Sequence, residues 1–177
     1  MKKLFILILT MISLTFIGCS NKYKTTDNLQ MLTKLERSKI VYISISKDGV
    51  YGSEIYRDSG KKVTNALQTV LTSNVSSIIV AAKVESQKEA LQNAKTSGAR
   101  YLFYPAIIHW EQRRAAWSGI PSRLGISITV FDLAKEDEDS MLMQKQLDVR
   151  GKIFTFKSQY VEELLPPTLQ QFVSDIF

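Results

Sequence analysis

A single cysteine, Cys19, and a single histidine, His109, are all the 177-residue chain offers of the two side chains that most often bind metals or serve as nucleophile and base. One cysteine allows no intrachain disulfide and no cysteine-rich zinc centre. One histidine allows no histidine cluster, and any Ser-His-Asp arrangement would have to run through His109 in a sequence without a G-x-S-x-G nucleophile elbow. Long apolar runs are lacking as well, and nothing approaches the roughly 20 residues that a membrane-spanning helix needs. A phosphate loop is also missing. Gly60-Lys61 opens a helical stretch, but Ile55 stands where the first glycine of a Walker motif belongs and Lys62 where its Ser or Thr belongs. What these absences leave open is carboxylate-only chemistry such as glycoside hydrolysis, which needs just two acids placed by the fold; Glu54, Asp58 and Glu111 are the first candidates. No cofactor and no metal site are implied.

What is present is concentrated first at the start of the chain. Lys2 and Lys3 precede the apolar run Leu4 to Leu9 and the weaker stretch Thr10 to Phe16, a charged n-region followed by an h-region. The run ends in Phe16-Ile17-Gly18-Cys19, which resembles the lipobox of bacterial lipoproteins, where the cysteine is acylated after cleavage in front of it; Phe16 stands where Leu is usual. The resemblance implies lipidation of Cys19, and Ser20 after it implies the outer membrane. The expected organisation is therefore a lipoprotein signal peptide over residues 1–18, a lipidated flexible tether over 19–38 and a periplasmic α/β domain over 39–177. Two acyl chains or more hold a protein on a membrane essentially permanently. The net charge of +6 is spread along the chain; in an envelope it suits anionic lipid or polymer, and no nucleic-acid partner is expected.

Within the domain, Ile40 to Ile45 is β-branched and aromatic, a strand. Lys47 to Gly60 carries three glycines and reads as a loop whose Asp58 or Ser59 caps the next helix, where Val63, Ala66, Leu67, Val70 and Leu71 recur at helical spacing. Ser77 to Ala82 is a short strand, and Ser86 with Glu89 forms a capping box opening a helix that Gly98 closes. Three strands follow: Tyr101 to Glu111, Leu124 to Asp132, and a third through Leu147, Val149, Gly151 and Ile153. They form an antiparallel meander whose last turn is the acidic run Lys135 to Asp139. Pro105 predicts an edge position or a bulge for the first of them. Leu164 to Ile176 is a final amphipathic helix with Pro166 and Pro167 near its start. The fold class is an α/β (α+β) sandwich: a mixed sheet of about five strands with an antiparallel meander, packed by about three helices.

This order of elements, with Ser97-Gly98-Ala99-Arg100-Tyr101-Leu102 closing the second helix and a strand ending in His109-Trp110-Glu111, resembles the TolB amino-terminal, LpoB and CsgG-like envelope domains. Taken from Lys39 to Phe177 behind a lipobox, it is similar to a lipoprotein family known only as a domain of unknown function. The resemblance implies a periplasmic adaptor or assembly factor rather than an enzyme, with no catalytic residue to carry over. The strongest binding signal is the connection after the first long strand, where Trp110, Arg113, Arg114 and Trp117 gather, the residue types most enriched in binding hot spots. A second, weaker surface is Tyr51, Ile55 and Tyr56. The leading expectation is a membrane-anchored lipoprotein binding another envelope protein through Trp110, Arg113, Arg114 and Trp117. The alternatives are a self-associating structural or secretion-channel-type lipoprotein, of unknown oligomeric state, and, last, a cell-wall hydrolase.

Overall fold

The structure is a computed structural model that describes the backbone of residues 22–27 and, with side chains, residues 34–113, 120–135, 140–152 and 159–177. Cys19, Arg114, Trp117, Ile153 and the acidic residues 136–139 lie outside the described residues. The strands are β1 (Lys22–Asp27), β2 (Ile40–Ile45), β3 (Gly49–Tyr51), β4 (Glu54–Tyr56), β5 (Ser77–Val84), β6 (Tyr101–Glu111), β7 (Arg123–Asp132) and β8 (Met141–Arg150); the helices are α1 (Ser59–Leu71), α2 (Gln87–Thr96) and α3 (Leu165–Ile176). The main sheet runs β1-β8-β7-β6-β2-β5, and β3-β4 form a separate hairpin. β2 pairs in parallel with both β5 and β6, whereas β6, β7, β8 and β1 pair antiparallel in turn. The mixed sheet, its meander and its three helices are as the sequence predicts. The sixth strand is an addition: Lys22–Asp27, within the stretch expected as a tether, pairs along β8.

Burial explains each element. β2 is covered on both faces, as a parallel strand with helices on either side must be, so Val41 and Ile43 enter one core and Tyr42 the other. The larger core lies between the sheet and helices α1 and α3. It is built from Val63, Leu67 and Leu71, from Leu169, Phe172 and Ile176, and from the inward row Leu124, Ile126, Ile128 and Val130. Phe103 meets Phe172 edge to face, with ring centroids 6.4 Å apart. The smaller core is thin, because α2 approaches through Ala90 and Ala94 onto Tyr42, Ala81, Leu102 and Phe131. Among the described residues this core takes in Phe131 of β7 and no residue of β8.

Several local expectations change. Lys47 to Gly60 contains a β-hairpin and is not a plain loop, and of its three glycines Gly52, at φ 61°, is the one whose turn needs a left-handed backbone. Asp58 occupies the N-cap position of α1, yet its side chain caps nothing. The carboxylate of Asp48 does so from across the hairpin, accepting from the N–H groups of Asp58 and Gly60 at 3.1 and 2.9 Å, while Ser59 Oγ accepts from Gly49 N–H. β6 is an interior strand, so Pro105 does not mark an edge, but the strand does bulge a little further on, between Ile107 and His109; the proline is tolerated because pairing to β2 ends at Phe103, leaving no ladder partner for the missing N–H. The third meander strand starts earlier and ends at Arg150. The fold also reaches back before Lys39: Leu35 is buried, its N–H donates to the Ile176 carbonyl at 2.9 Å, and Lys34 and Arg37 reach the last carbonyls of the chain. Cations there complement the negative end of α3.

Candidate docking site

One end of the sheet gathers most of the residues singled out by their chemistry. A one-residue bulge between Ile107 and His109 shifts the alternation of β6, so that Trp110 turns into the core and His109 and Glu111 turn to the uncovered face. Trp110 is 2% exposed. Expected as a contact, it is instead the platform on which the β3-β4 hairpin sits: a Cβ on Gly49 would lie 2.6 Å from Trp110 Cβ, so only glycine lets the hairpin approach.

Arg113 stands at the rim of this platform. Its guanidinium carbon is 5.0 Å from the centroid of the Tyr51 ring, one Nη donates to the Tyr51 hydroxyl at 3.0 Å, and the same nitrogen is 3.3 Å from Glu111 Oε2. Its backbone N–H donates to Ser122 Oγ at 3.2 Å. Glu111 lies 3.8 Å from both Arg123 and His109 Nδ1, and Arg123 forks onto Asp148. The Tyr51 hydroxyl, and after it Glu111, hold the Arg113 guanidinium in its charged form against partial desolvation, and Asp148 does the same for Arg123. Two expected binding surfaces, 62 residues apart in the chain, thus become one.

Around this charged chain the surface is apolar. Val50, Tyr51, Ile55 and Ile120 are 54, 43, 62 and 53% exposed, and Arg150 and Lys152 are exposed beside them at the end of β8. Val50 and Ile120 were not picked out by sequence reasoning, since isolated aliphatics in loops carry no spacing signal. The carboxylates considered for hydrolysis are each engaged locally: Glu54 accepts from the Tyr56 hydroxyl, Asp58 pairs with Lys61, and Glu111 faces arginines. The amino-terminal end of α1 is filled by Asp48 of the chain itself. Among the described residues no three His, Cys, Asp or Glu side chains are placed to hold a metal ion, and no helix is long and apolar enough to cross a membrane.

The family model described as "Domain of unknown function (DUF4823)" matches residues 33–176. The chain belongs to the DUF4823 family. The match begins just before Leu35, which is buried in the larger core. No curated protein matches the sequence. Among solved structures, a PelC dodecamer from Paraburkholderia phytofirmans is similar with a TM-score of 0.65 at 12% identity, over 89% of this chain and 98% of that one. The hypothetical protein CT253 from Chlamydia trachomatis has a TM-score of 0.51 at 11% identity, over 78% of this chain and 95% of that one. Both likenesses are of fold. The likeness to TolB from Acinetobacter baumannii, at a TM-score of 0.37 and 32% of that chain, is remote and adds nothing to them.

Proposed function

We propose that this DUF4823 protein is a non-catalytic, lipid-anchored lipoprotein of the outer membrane whose periplasmic domain is an adaptor or assembly factor, joined to another envelope protein by extension of its sheet at β5. The observation that carries this reading is the outer edge of β5. Eight residues long and apolar but for Ser77 and Lys83, it holds no proline, and no strand among the described residues pairs with its free side. Val84 there is 45% exposed. Soluble proteins blunt such edges with charge, proline or a covering element, because the unpaired N–H and C=O groups recruit another strand. In this reading the contact runs along β5 and not through Trp110 or Arg113.

The test is photocrosslinking in cells from Ala82 and Val84, with membrane fractionation and a Cys19→Ser control. Capture of one discrete envelope protein, reduced when Cys19 is replaced, is the expected result; no adduct from a folded, membrane-bound protein would sink the idea. A second reading, self-association, is supported by the PelC likeness, since that protein's structure is a dodecamer. Adducts only between copies, with a multi-subunit mass in mild detergent, would favour it.

A further inference from the structure

Pairing of β1 with β8 has a geometric consequence for the anchor. Lys22 lies opposite Arg150, Arg150 opposite Arg123, and Arg123 opposite Glu111, one transverse row across four strands. Cys19 precedes Lys22 by three residues, and three residues span at most about 11 Å however they run. Strands lie about 4.8 Å apart, so the far end of the row falls within about 25 Å of Cys19, and Tyr51 touches Arg113 there. The end of the sheet that carries the exposed Val50, Tyr51, Ile55, Ile120, Arg150 and Lys152 is therefore the end closest along the chain to Cys19.

We propose that this end rests on the phospholipid leaflet that holds the acyl chains of Cys19. Val50, Tyr51, Ile55 and Ile120 enter the interfacial layer, and Arg150 and Lys152 meet the headgroup phosphates. The proposal rests on the reading that Cys19 is acylated. Three arguments select a membrane over a protein as the occupant. The short link makes docking an intramolecular event, for which the leaflet is always at high effective concentration. Tyrosine and aliphatic residues beside arginine are the composition of interfacial contacts, where the ring stays at headgroup depth and the cation reaches phosphate. Finally, two of the carboxylates at this end are already paired, Glu111 with Arg113 and Asp148 with Arg123, so neither opposes an anionic surface.

The full acylated protein itself supplies the test. Acylation consumes the Cys19 thiol, so Ile55→Cys introduces the sole reactive thiol, to be labelled with a nitrobenzoxadiazole dye and reconstituted into phosphatidylethanolamine/phosphatidylglycerol vesicles. Thr96→Cys is the reference, exposed at the end of α2 and beside the opposite end of β6. The expected result is blue-shifted emission at Ile55, quenched several-fold more by spin-labelled lipid than at Thr96. Equal, water-like emission at both positions overturns the docking, as does shielding at Ile55 that appears only when other envelope proteins are added. Mass spectrometry of the amino-terminal peptide from the same preparation reads acylation separately. A Cys19 without acyl chains overturns the anchor and the docking together, whereas an acylated Cys19 with a wet Ile55 overturns the docking alone.

Discussion

Asp48 and Asp58 sit ten residues apart, and only one of them holds the start of α1. Asp58 has the N-cap position with a left-handed backbone at φ 63°, but its carboxylate turns outward to Lys61. Asp48 accepts two helix N–H groups, so Asp48→Ala should cost about 1 to 2 kcal/mol of stability. Asp58→Asn, which keeps the left-handed tolerance, should change it by less than about 0.5 kcal/mol. Urea denaturation of the two variants compares them directly. Tyr42 gives a pH signature. Its hydroxyl donates to both oxygens of buried Glu85 at 3.1 Å; burial, then that hydrogen bond and the carboxylate charge, push the phenol up to about 12. A phenol that holds its proton longer in the folded state gives stability that is complete below the unfolded value near 10 and is lost as pH rises from there to the folded value. Tyr42→Phe should remove that alkaline loss, roughly 2 to 3 kcal/mol, while costing about 1 to 2 kcal/mol at neutral pH because Glu85 loses a donor. Stability measured by denaturation on either side of pH 10 checks both signs.

At the scale of elements, α3 closes the larger core and clasps the chain on both sides. Leu35 hydrogen-bonds its last turn, Lys145 reaches Asp175 at 2.7 Å, and Phe172 fills the space before Phe103. Phe172 is fully buried, and Phe172→Ala should destabilise the domain by about 3 to 5 kcal/mol, the range for losing an aromatic ring and leaving a cavity. Thermal melting against the unchanged protein is the measurement. α2 is different in kind: its fully buried contacts are two alanines, with Leu91 only partly buried beside them, so it lies close but buries little. β6 joins the two halves. Its first residues pair in parallel with β2, its whole length pairs antiparallel with β7, and the bulge after Ile107 turns Trp110 inward and Glu111 outward. That extra residue decides which side chains of this strand are structural and which are available.

For the whole molecule, the two surfaces proposed to act lie at right angles. The tip of Tyr51, Ile55 and Ile120 crowns one end of the sheet, and the free edge of β5 runs along its side. A domain standing on that end would present the edge sideways, in the plane of the membrane, where a neighbour with the same anchor could meet it. Much of this architecture was legible in the sequence. Period-2 and period-3.6 burial patterns act within a few residues, so β2, β5, β7, the capping box of α2 and the apolar stripes of α1 and α3 all declared themselves locally. The lipobox resemblance at Cys19 is likewise a matter of contiguous residues. Tertiary structure decided what depends on contacts between distant parts of the chain. The bulge that buried Trp110, the meeting of Arg113 with Tyr51, the capping of α1 by Asp48 and the pairing of polar Lys22–Asp27 along β8 each involve partners whose attraction has no period in the sequence. They exist because a sheet edge, a helix end and a hairpin were first brought side by side by the core, and only then could short-range hydrogen bonds and charge select their neighbours.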